Sequence, residues 1–189
     1  MTMRRAALLA GSILIAPLLL AAATDQAVAP AYTADGRLVP PAGYREWVYL
    51  STGLDMSYSE RAGNAGHSMF DNVFVDPAAW AAFKRTGHWP DKATFVLEIR
   101  AASSQGSILK KGQYQTSDLM GMELHVRDDA RGGWGFYGVD GGKPAKLLPK
   151  SEACYACHEA HGAVDTTFTQ FYPTARPIAE KAGSFHAAG

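Results

Sequence analysis

Residues 94–101 read Thr-Phe-Val-Leu-Glu-Ile-Arg-Ala. Side chains two positions apart share one face of a β-strand, so this stretch divides into two sets of three. The sets are Phe95, Leu97 and Ile99 on one face and Val96, Glu98 and Arg100 on the other. The alternation predicts a strand, and the neighbouring stretches of the chain decide how that strand is paired.

Three further stretches of the same kind lie around it. Residues 69–76 (MFDNVFVD), 120–128 (MGMELHVRD) and 134–139 (WGFYGV) are rich in β-forming side chains and end at turn-forming residues. Consecutive strands separated by turns predict an antiparallel sheet. Residues 44–50 (YREWVYL) fit either a first strand or a short helix, because no clear period is present.

One helix and two loops interrupt the predicted strands. Asp76 is a suitable N-cap with Pro77 at the first helical position, and Gly87 ends this helix. Residues 57–68 and 103–119 are predicted to be loops, because they are mostly polar and contain several glycines.

The C-terminal part of the chain is predicted to be mainly helical. Ser151 is a candidate N-cap for a helix through residues 152–158. Residues 161–172 are predicted to continue as helix after a break at a glycine, until a proline stops them. The small residues of 176–189 predict a flexible tail.

The first residues have the composition of an export signal. Two arginines precede an apolar run over residues 6–23, and an Ala-Val-Ala site follows at residues 27–29. This order predicts a secretory signal peptide over residues 1–29. An uncleaved membrane anchor is the alternative, but the run is marginal in length for a span and Pro17 interrupts it.

The rest of the chain has the composition of a globular protein. Residues 30–43 contain three prolines and predict an extended arm before a folded domain over residues 44–175. The 18 basic side chains balance the 18 acidic ones. This balance gives no indication of nucleic acid or an acidic membrane as a partner.

Residues 154–158 read Cys-Tyr-Ala-Cys-His, which is the attachment signature of a c-type haem. One helical turn presents both thiols to the porphyrin vinyl groups, and His158 is then the proximal iron ligand. A disulfide or redox pair beside an unrelated histidine is the alternative, but such pairs lie near the start of a βαβ unit. Because c-type haem is attached outside the bacterial inner membrane, the motif and the export signal together predict a periplasmic protein with one covalent haem c, held through Cys154 and Cys157.

Several segments together are more specific than the haem motif alone. They are FDNVFVDPAAWAAFKRTGHWPD, FVLEIR, MELHVRD, GGWGFYG and ACYACHEAHGAVDTTFTQFYP. Over residues 44–173 the chain resembles the cytochrome P460 family, whose members are exported mono-haem c proteins. The resemblance implies an α+β fold in which helices pack on an antiparallel β-sheet with a covalently bound c-type haem, and it implies a homodimer.

The resemblance implies one of two activities. Founding members oxidise hydroxylamine and carry a lysine cross-linked to the porphyrin, whereas the cytochrome c′-beta type lacks this link and binds nitric oxide and carbon monoxide. The lysine belongs in the strand of residues 94–101, which contains none, and Leu97 or a neighbour takes its place. We therefore expect a small gaseous ligand. Oxidation of hydroxylamine or a related nitrogenous compound, with a separate cytochrome as electron acceptor, is the alternative, and an enzymatic role stays open.

The family precedent leaves the second axial side of the iron open. Candidates for a sixth ligand are Met56, Met69, Met120, Met122, His67 and His125. Methionine on the apolar face of a strand more often fills the core, and a simple electron carrier would need such a ligand. His161 lies on the same side as His158 and is read as a neighbour of that ligand or as exposed.

Other side chains are candidates for the cofactor pocket. Phe70, Phe74, Phe95 and Leu97 are candidate apolar walls, although each is equally explained as ordinary core. Arg100 and Arg127 are candidates to pair with haem propionates, because arginine binds carboxylates well.

Glu123 matches the carboxylate of the family's strand motif and is the candidate catalytic residue. Beside an apolar haem pocket, desolvation would raise its pKa and suit it to proton transfer. The alternative is a surface glutamate that pairs with Arg100 or Arg127 across the sheet. Alternation places Glu123 with His125 and Arg127 on one face, which is compatible with both interpretations.

Overall fold

A computed structural model describes residues 29–56 and 68–187 of the chain. The strands are β1 (Val48–Leu54), β2 (Met69–Val75), β3 (Thr94–Ser103), β4 (Tyr114–Asp128) and β5 (Gly133–Val139). The α-helices are α1 (Pro77–Thr86), α2 (Ala153–His161) and α3 (Arg176–Ala182). Single 3-10 turns occur at Tyr44–Glu46, Asp129–Arg131 and Thr169–Phe171.

The strands form one sheet in chain order, and every neighbouring pair is antiparallel. This confirms the predicted α+β fold with an antiparallel sheet. The register places Val75, Phe95, His125 and Phe136 in one row across four strands. Cross-strand partners project from the same face, so this row identifies one side of the sheet.

We call the side that carries this row the site face. Helices α1 and α3 supply much of its cover, and a buried cluster there joins Val75 and Phe95 to Phe83 of α1 and Ala179 of α3. The opposite side is the arm face, where Val96, Leu124, Val126 and Tyr137 are buried with Leu38 of the N-terminal arm. The sheet therefore has an apolar layer on both faces, since β2 and β3 contribute apolar side chains to each cluster.

Helix α1 begins as the sequence predicts. The Asp76 carboxylate accepts hydrogen bonds from Ala79 N at 2.7 Å and Thr94 N at 2.9 Å, so one side chain caps α1 and joins it to β3. Gly87 ends the helix in the left-handed region with φ 73°. The Phe83 ring stacks on Trp89 with 3.9 Å between centroids, and Trp89 is fully buried.

The predicted extended arm is folded against the sheet. Leu38 is 1% exposed and bridges both Tyr32 and Ala145 in antiparallel fashion. The Tyr32 hydroxyl donates to Asp128 at 3.1 Å, and the Arg131 guanidinium lies 3.8 Å from the centre of the Tyr32 ring. These contacts fix the arm to the end of β4.

Two strand assignments differ from the sequence predictions. Strand β4 begins at Tyr114, inside the region predicted to be a loop, because residues 114–118 are polar and mostly exposed and give no hydrophobic alternation. Residues 44–50 contain both alternatives that were left open, since a 3-10 turn precedes β1.

The C-terminal predictions need larger corrections. Helix α2 begins at Ala153 after Glu152 and ends at His161, and a tight turn replaces the helix predicted for residues 161–172. The predicted flexible tail is wrong, because α3 buries Ala175 and Ala179 completely against the α1 side of the core. Alanines at such positions permit close packing, although they carry little hydrophobic signal in the sequence.

Among the described residues no helix is long and apolar enough to cross a membrane. The predicted signal peptide and the polar loop with His67 lie almost entirely outside the described residues.

Candidate functional site

Helix α2 carries the two thiols and the histidine of the predicted haem motif. One face of the helix presents all three, because Cys157 and His158 follow Cys154 by three and four positions. Both cysteines are free thiols and half-buried, which does not support the disulfide alternative. Burial is the largest influence on Cys154 and raises its pKa, and Glu123 and Glu152 raise it further while backbone hydrogen bonds oppose them.

Tyr155, one of the two residues between the cysteines, attaches this helix to the sheet. Its hydroxyl accepts from Phe136 N at 3.3 Å and donates to Leu148 O at 3.0 Å. Its ring meets Phe136 edge-on at 4.8 Å. The Lys150 ammonium lies over the same ring, 4.2 Å from its centroid. The two thiols are thus held at the β5 edge of the site face.

His158 is oriented by a backbone carbonyl. Its Nδ1 lies 2.7 Å from Thr166 O, and since a carbonyl can only accept, Nδ1 carries the proton. The Nε2 lone pair is then available to a metal, and the hydrogen bond makes the imidazole a stronger ligand. Burial lowers the pKa of His158, opposed by the Thr166 bond, so the ring is neutral at pH 7 as ligation requires.

An aromatic wall surrounds the His158 ring. Ring centroids lie 4.1 Å away for Phe168, 4.6 Å for Phe136 and 4.9 Å for His125. The His125 ring stacks on Phe136 at 4.0 Å and contacts Trp134 at 4.4 Å. Burial lowers the pKa of His125 well below its ordinary value, with His158 and Lys150 lowering it further, so His125 is neutral.

Buried side-chain atoms without a hydrogen-bond partner gather at this place. Within residues 29–56 and 68–187 they are His125 Nε2, Thr166 Oγ1 and Gln170 Oε1. His125 contacts the His158 ring, Thr166 bonds it, and Gln170 donates to His161 O at 2.8 Å. Native proteins satisfy nearly all buried polar atoms, so ordered water or a bound group is expected to pair with these three. The thiols, the oriented imidazole and these atoms together fit a covalently attached haem.

Glu123 stands on the site face in a row with Val73 and Leu97. It is accessible to solvent, yet the protein around it is dense enough that desolvation raises its pKa. The surface-pair alternative is wrong for both proposed partners, because Arg100 pairs with Glu98 and Arg127 with Asp129.

Asp71 is a second carboxyl on this face that the sequence interpretation missed. It follows the alternation of β2 with Val73 and Val75. Burial, with Asp55 and Glu123 as further causes, raises its pKa to about 6. A carboxyl among the apolar residues of a strand was the available signal.

The structure separates the other predicted pocket residues by face. Phe70, Phe74 and Arg100 follow the opposite alternation of β2 and β3 and lie on the arm face. Phe74 packs edge-on against Tyr44 at 5.7 Å, and Arg100 donates to Glu98 at 2.5 Å. The structure therefore does not bring these three together with His158, and we remove them from the candidate site.

Leu97 and Phe95 lie on the site face as expected for pocket walls. Arg127 is also on this side but is held at the end of the sheet, where it donates to Trp89 O at 2.6 Å and to Asp129 at 3.0 Å. Its side chain is thus already engaged away from α2.

The sequence model of one family, described as Cytochrome P460, matches residues 41–169. The match covers more than half of the 189 residues and includes all five strands and the cysteine–histidine motif. No curated protein matches the chain.

Proposed function

Because the chain belongs to the cytochrome P460 family of haem-binding cytochromes, we propose that it is a mono-haem c-type cytochrome that binds nitric oxide or another small diatomic ligand. Cys154 and Cys157 would hold the haem as thioethers, and His158 Nε2 would ligate the iron. The haem supplies an iron centre that takes up a small ligand or an electron.

The hydrogen bond from His158 Nδ1 to Thr166 O is the observation that carries this proposal. It selects the tautomer that leaves Nε2 free for a metal. The same helix carries the two thiols, so one short segment would supply every protein contact that the proposed attachment needs.

An open sixth position is supported by where the four described methionines lie. Met56 follows β1, which is the edge of the sheet opposite β5. Met122 belongs to the arm-face cluster, and Met120 stands at a bulge of β4, where it is 53% exposed. Met69 pairs with Ala101, six residues along β3 from Phe95, a separation of about 20 Å. His125 contacts the proximal ring itself and so belongs to the same side as His158.

The absence of lysine from the sheet favours gas binding over the chemistry of the cross-linked relatives. None of the five described strands contains a lysine. Leu97 instead occupies the site face beside Val73 and Glu123, and Ile99 continues the same side of β3. An apolar surface of this kind suits a small uncharged ligand.

Oxidation of hydroxylamine or a related nitrogen compound is the second candidate, and the carboxyls favour it. Glu123 and Asp71 both have raised pKa values on the site face, where burial is the main cause for each and the charge of Glu123 contributes to the shift of Asp71. A carboxyl poised nearer neutrality can accept protons from a substrate, while electrons would leave to another cytochrome.

Absorption spectra of the purified ferric and ferrous protein test the first candidate. We expect five-coordinate high-spin spectra and a new ferrous band on adding nitric oxide. A low-spin spectrum that nitric oxide leaves unchanged would indicate an electron carrier instead. Replacing Cys154 and Cys157 by Ala should abolish covalent haem on a denaturing gel, whereas Ala156→Ser, between them, should retain it.

The Glu123→Gln variant separates the two candidates. It should leave nitric oxide affinity within about twofold, because it removes no apolar contact, but it should remove most hydroxylamine turnover if Glu123 accepts the proton. Mass spectrometry of the haem peptide adds an independent check, since an attachment outside Cys154 and Cys157 would favour the cross-linked chemistry.

Export to the periplasm and assembly as a homodimer belong to the same proposal. The N-terminal mass of the periplasmic fraction and the solution mass of the mature protein test them. A mature protein that keeps residues 1–29 would contradict cleavage of the signal, and a protein found only in the cytoplasm would contradict export.

A further inference from the structure

We propose that the turn of residues 164–167 positions the His158 ring. Asp165 holds this turn in place, and Gly162 allows it to approach the end of α2. The inference rests on the proposed ligation of haem by His158. It concerns what aims the Thr166 carbonyl at that ring.

The turn is held in an unfavourable backbone conformation. Asp165 has φ 47° and Thr166 has φ 63°, both in the left-handed region. A β-branched residue such as Thr rarely adopts that region, and here Gly or Asn would be the ordinary choice. Thr167 N donates to Val164 O at 2.8 Å and closes the turn. Strain of this kind persists only where the surroundings impose it.

Trp89 imposes the conformation from outside the turn. Its backbone N–H donates to the Asp165 carboxylate at 2.8 Å, and its indole Nε1–H donates to Thr167 Oγ1 at 3.0 Å. The His88 ring adds a contact from Nδ1 to the same carboxylate at 3.2 Å. Because Trp89 is fully buried between α1 and the sheet, the turn is attached to a rigid part of the core.

Gly162 permits the turn to approach the end of α2. A Cβ at this position would lie 2.5 Å from His158 O and 2.7 Å from Thr166 Cα. Both are backbone atoms, so neither can move aside as a side chain would. The value of glycine here is close approach, since its φ of −69° is ordinary for any residue.

Together these contacts form a continuous connection from the core to the iron ligand. Trp89 holds Asp165 and Thr167, the residues between which Thr166 is forced into the left-handed region, and the Thr166 carbonyl then meets His158 Nδ1 at 2.7 Å. A stronger bond to that carbonyl increases electron donation through Nε2. The turn therefore sets both the orientation of the ring and the donor strength of the ligand.

Resonance Raman spectra of the ferrous haem-loaded protein test the inference through the iron–histidine stretch. Asp165→Ala and Gly162→Ala should each lower the stretching frequency and raise the reduction potential, because the Thr166 carbonyl is released. Asp165→Asn keeps an oxygen acceptor for Trp89 N–H, so its stretching frequency and reduction potential should match those of the wild type. Asp140→Ala removes a 90% exposed carboxylate in a loop and serves as the matched control.

Thr166→Gly guards against variants that fail to fold. It keeps the carbonyl and relieves the strain, so we expect the wild-type frequency. A wild-type frequency in Asp165→Ala, or a changed frequency in Thr166→Gly, would overturn the inference.

If the wild type attaches no haem, the proposed function itself fails, and the Raman test cannot be made. Nitrogen-15 spectra of the haem-free chain then test the turn alone, where an unchanged Nδ1–H tautomer in Asp165→Ala would count against it.

Discussion

The two faces of the sheet differ in how buried polar side chains are hydrogen-bonded. On the arm face, Glu98 is only 3% exposed and accepts from Tyr44, from Arg45 at 2.8 Å and from Arg100 at 2.5 Å. On the site face, His125 Nε2 is buried and has no partner. The Glu98 carboxylate on the arm face thus has its hydrogen-bond partners within the protein. His125 Nε2 on the site face needs a partner from outside the polypeptide.

The arm-face network extends beyond the carboxylate. Asn72 donates to Gln115 at 2.6 Å and accepts in return at 3.0 Å, and Thr52 donates to Asn72 at 2.7 Å. Burial, with Glu98 as the next cause, raises the pKa of Tyr44 to about 12, so Tyr44 remains a donor. Side chains engaged in this way have a structural role, which is why polar residues alone do not locate a site.

The largest effect is expected from Glu98→Ala. It leaves Arg100, which is only 14% exposed, with no carboxylate partner, and breaking a buried pair in this way costs about 3–5 kcal/mol. Urea unfolding measures the loss, and the exposed Glu180→Ala is the control, with about 0.5 kcal/mol or less expected. The ferrous spectrum should stay unchanged. A shifted iron–histidine stretch in Glu98→Ala would show that the two faces are coupled.

A smaller effect is expected from Asp71→Asn, and it depends on pH. The Asp71 pKa is raised to about 6 in the folded protein, so folding is favoured while the carboxyl is protonated and this advantage is lost as pH rises from about 4 to 6. The full shift corresponds to about 3 kcal/mol, and partial exposure of the side chain reduces this to about 1–2 kcal/mol. Unfolding free energies from pH 4 to 7 should fall in the wild type and less steeply in Asp71→Asn. Equal slopes would mean that Asp71 titrates normally.

The smallest effect is expected from His125→Phe. A ring of similar shape without the orphaned nitrogen should gain about 1 kcal/mol in haem-free protein, since an unsatisfied buried group carries a desolvation cost of that order. In haem-loaded protein the gain should vanish if the cofactor satisfies Nε2. Trp134→Phe, which also keeps an aromatic ring beside His125, is the control. A loss of more than about 1 kcal/mol in haem-free His125→Phe would mean that Nε2 already has a partner.

Local alternation was enough to predict the sheet, and motif spacing was enough to place two thiols and a histidine on one helix. Three residues on one helical face require no knowledge of the rest of the fold, and the alternation of β4 placed Glu123 correctly with His125. The N-cap at Asp76 was equally local. Each of these predictions depends on residues within a few positions of one another.

The errors concern what lies far along the chain. Phe70 and Phe74 are apolar and aromatic, as the walls of a haem pocket would be. Only the strand register and the position of α2 show that they lie on the face away from His158. The partner of His158 is a backbone carbonyl, which has no side-chain signature. Ala175 and Ala179 pack a helix through small size rather than large apolar area, so their burial gave no hydrophobic pattern.

The strands of the sheet follow one another in chain order, and this order bears on when the proposed haem site on α2 is assembled. Every strand pairs with the one made just before it, so the sheet needs no segment beyond residue 139 to close its ladders. Pairing between neighbours carries a small loop-closure cost and forms early. The thiols on α2 follow the whole sheet along the chain, so an attachment enzyme would meet them on an already formed surface. Pulsed hydrogen exchange would contradict this order if α2 gained protection before β3.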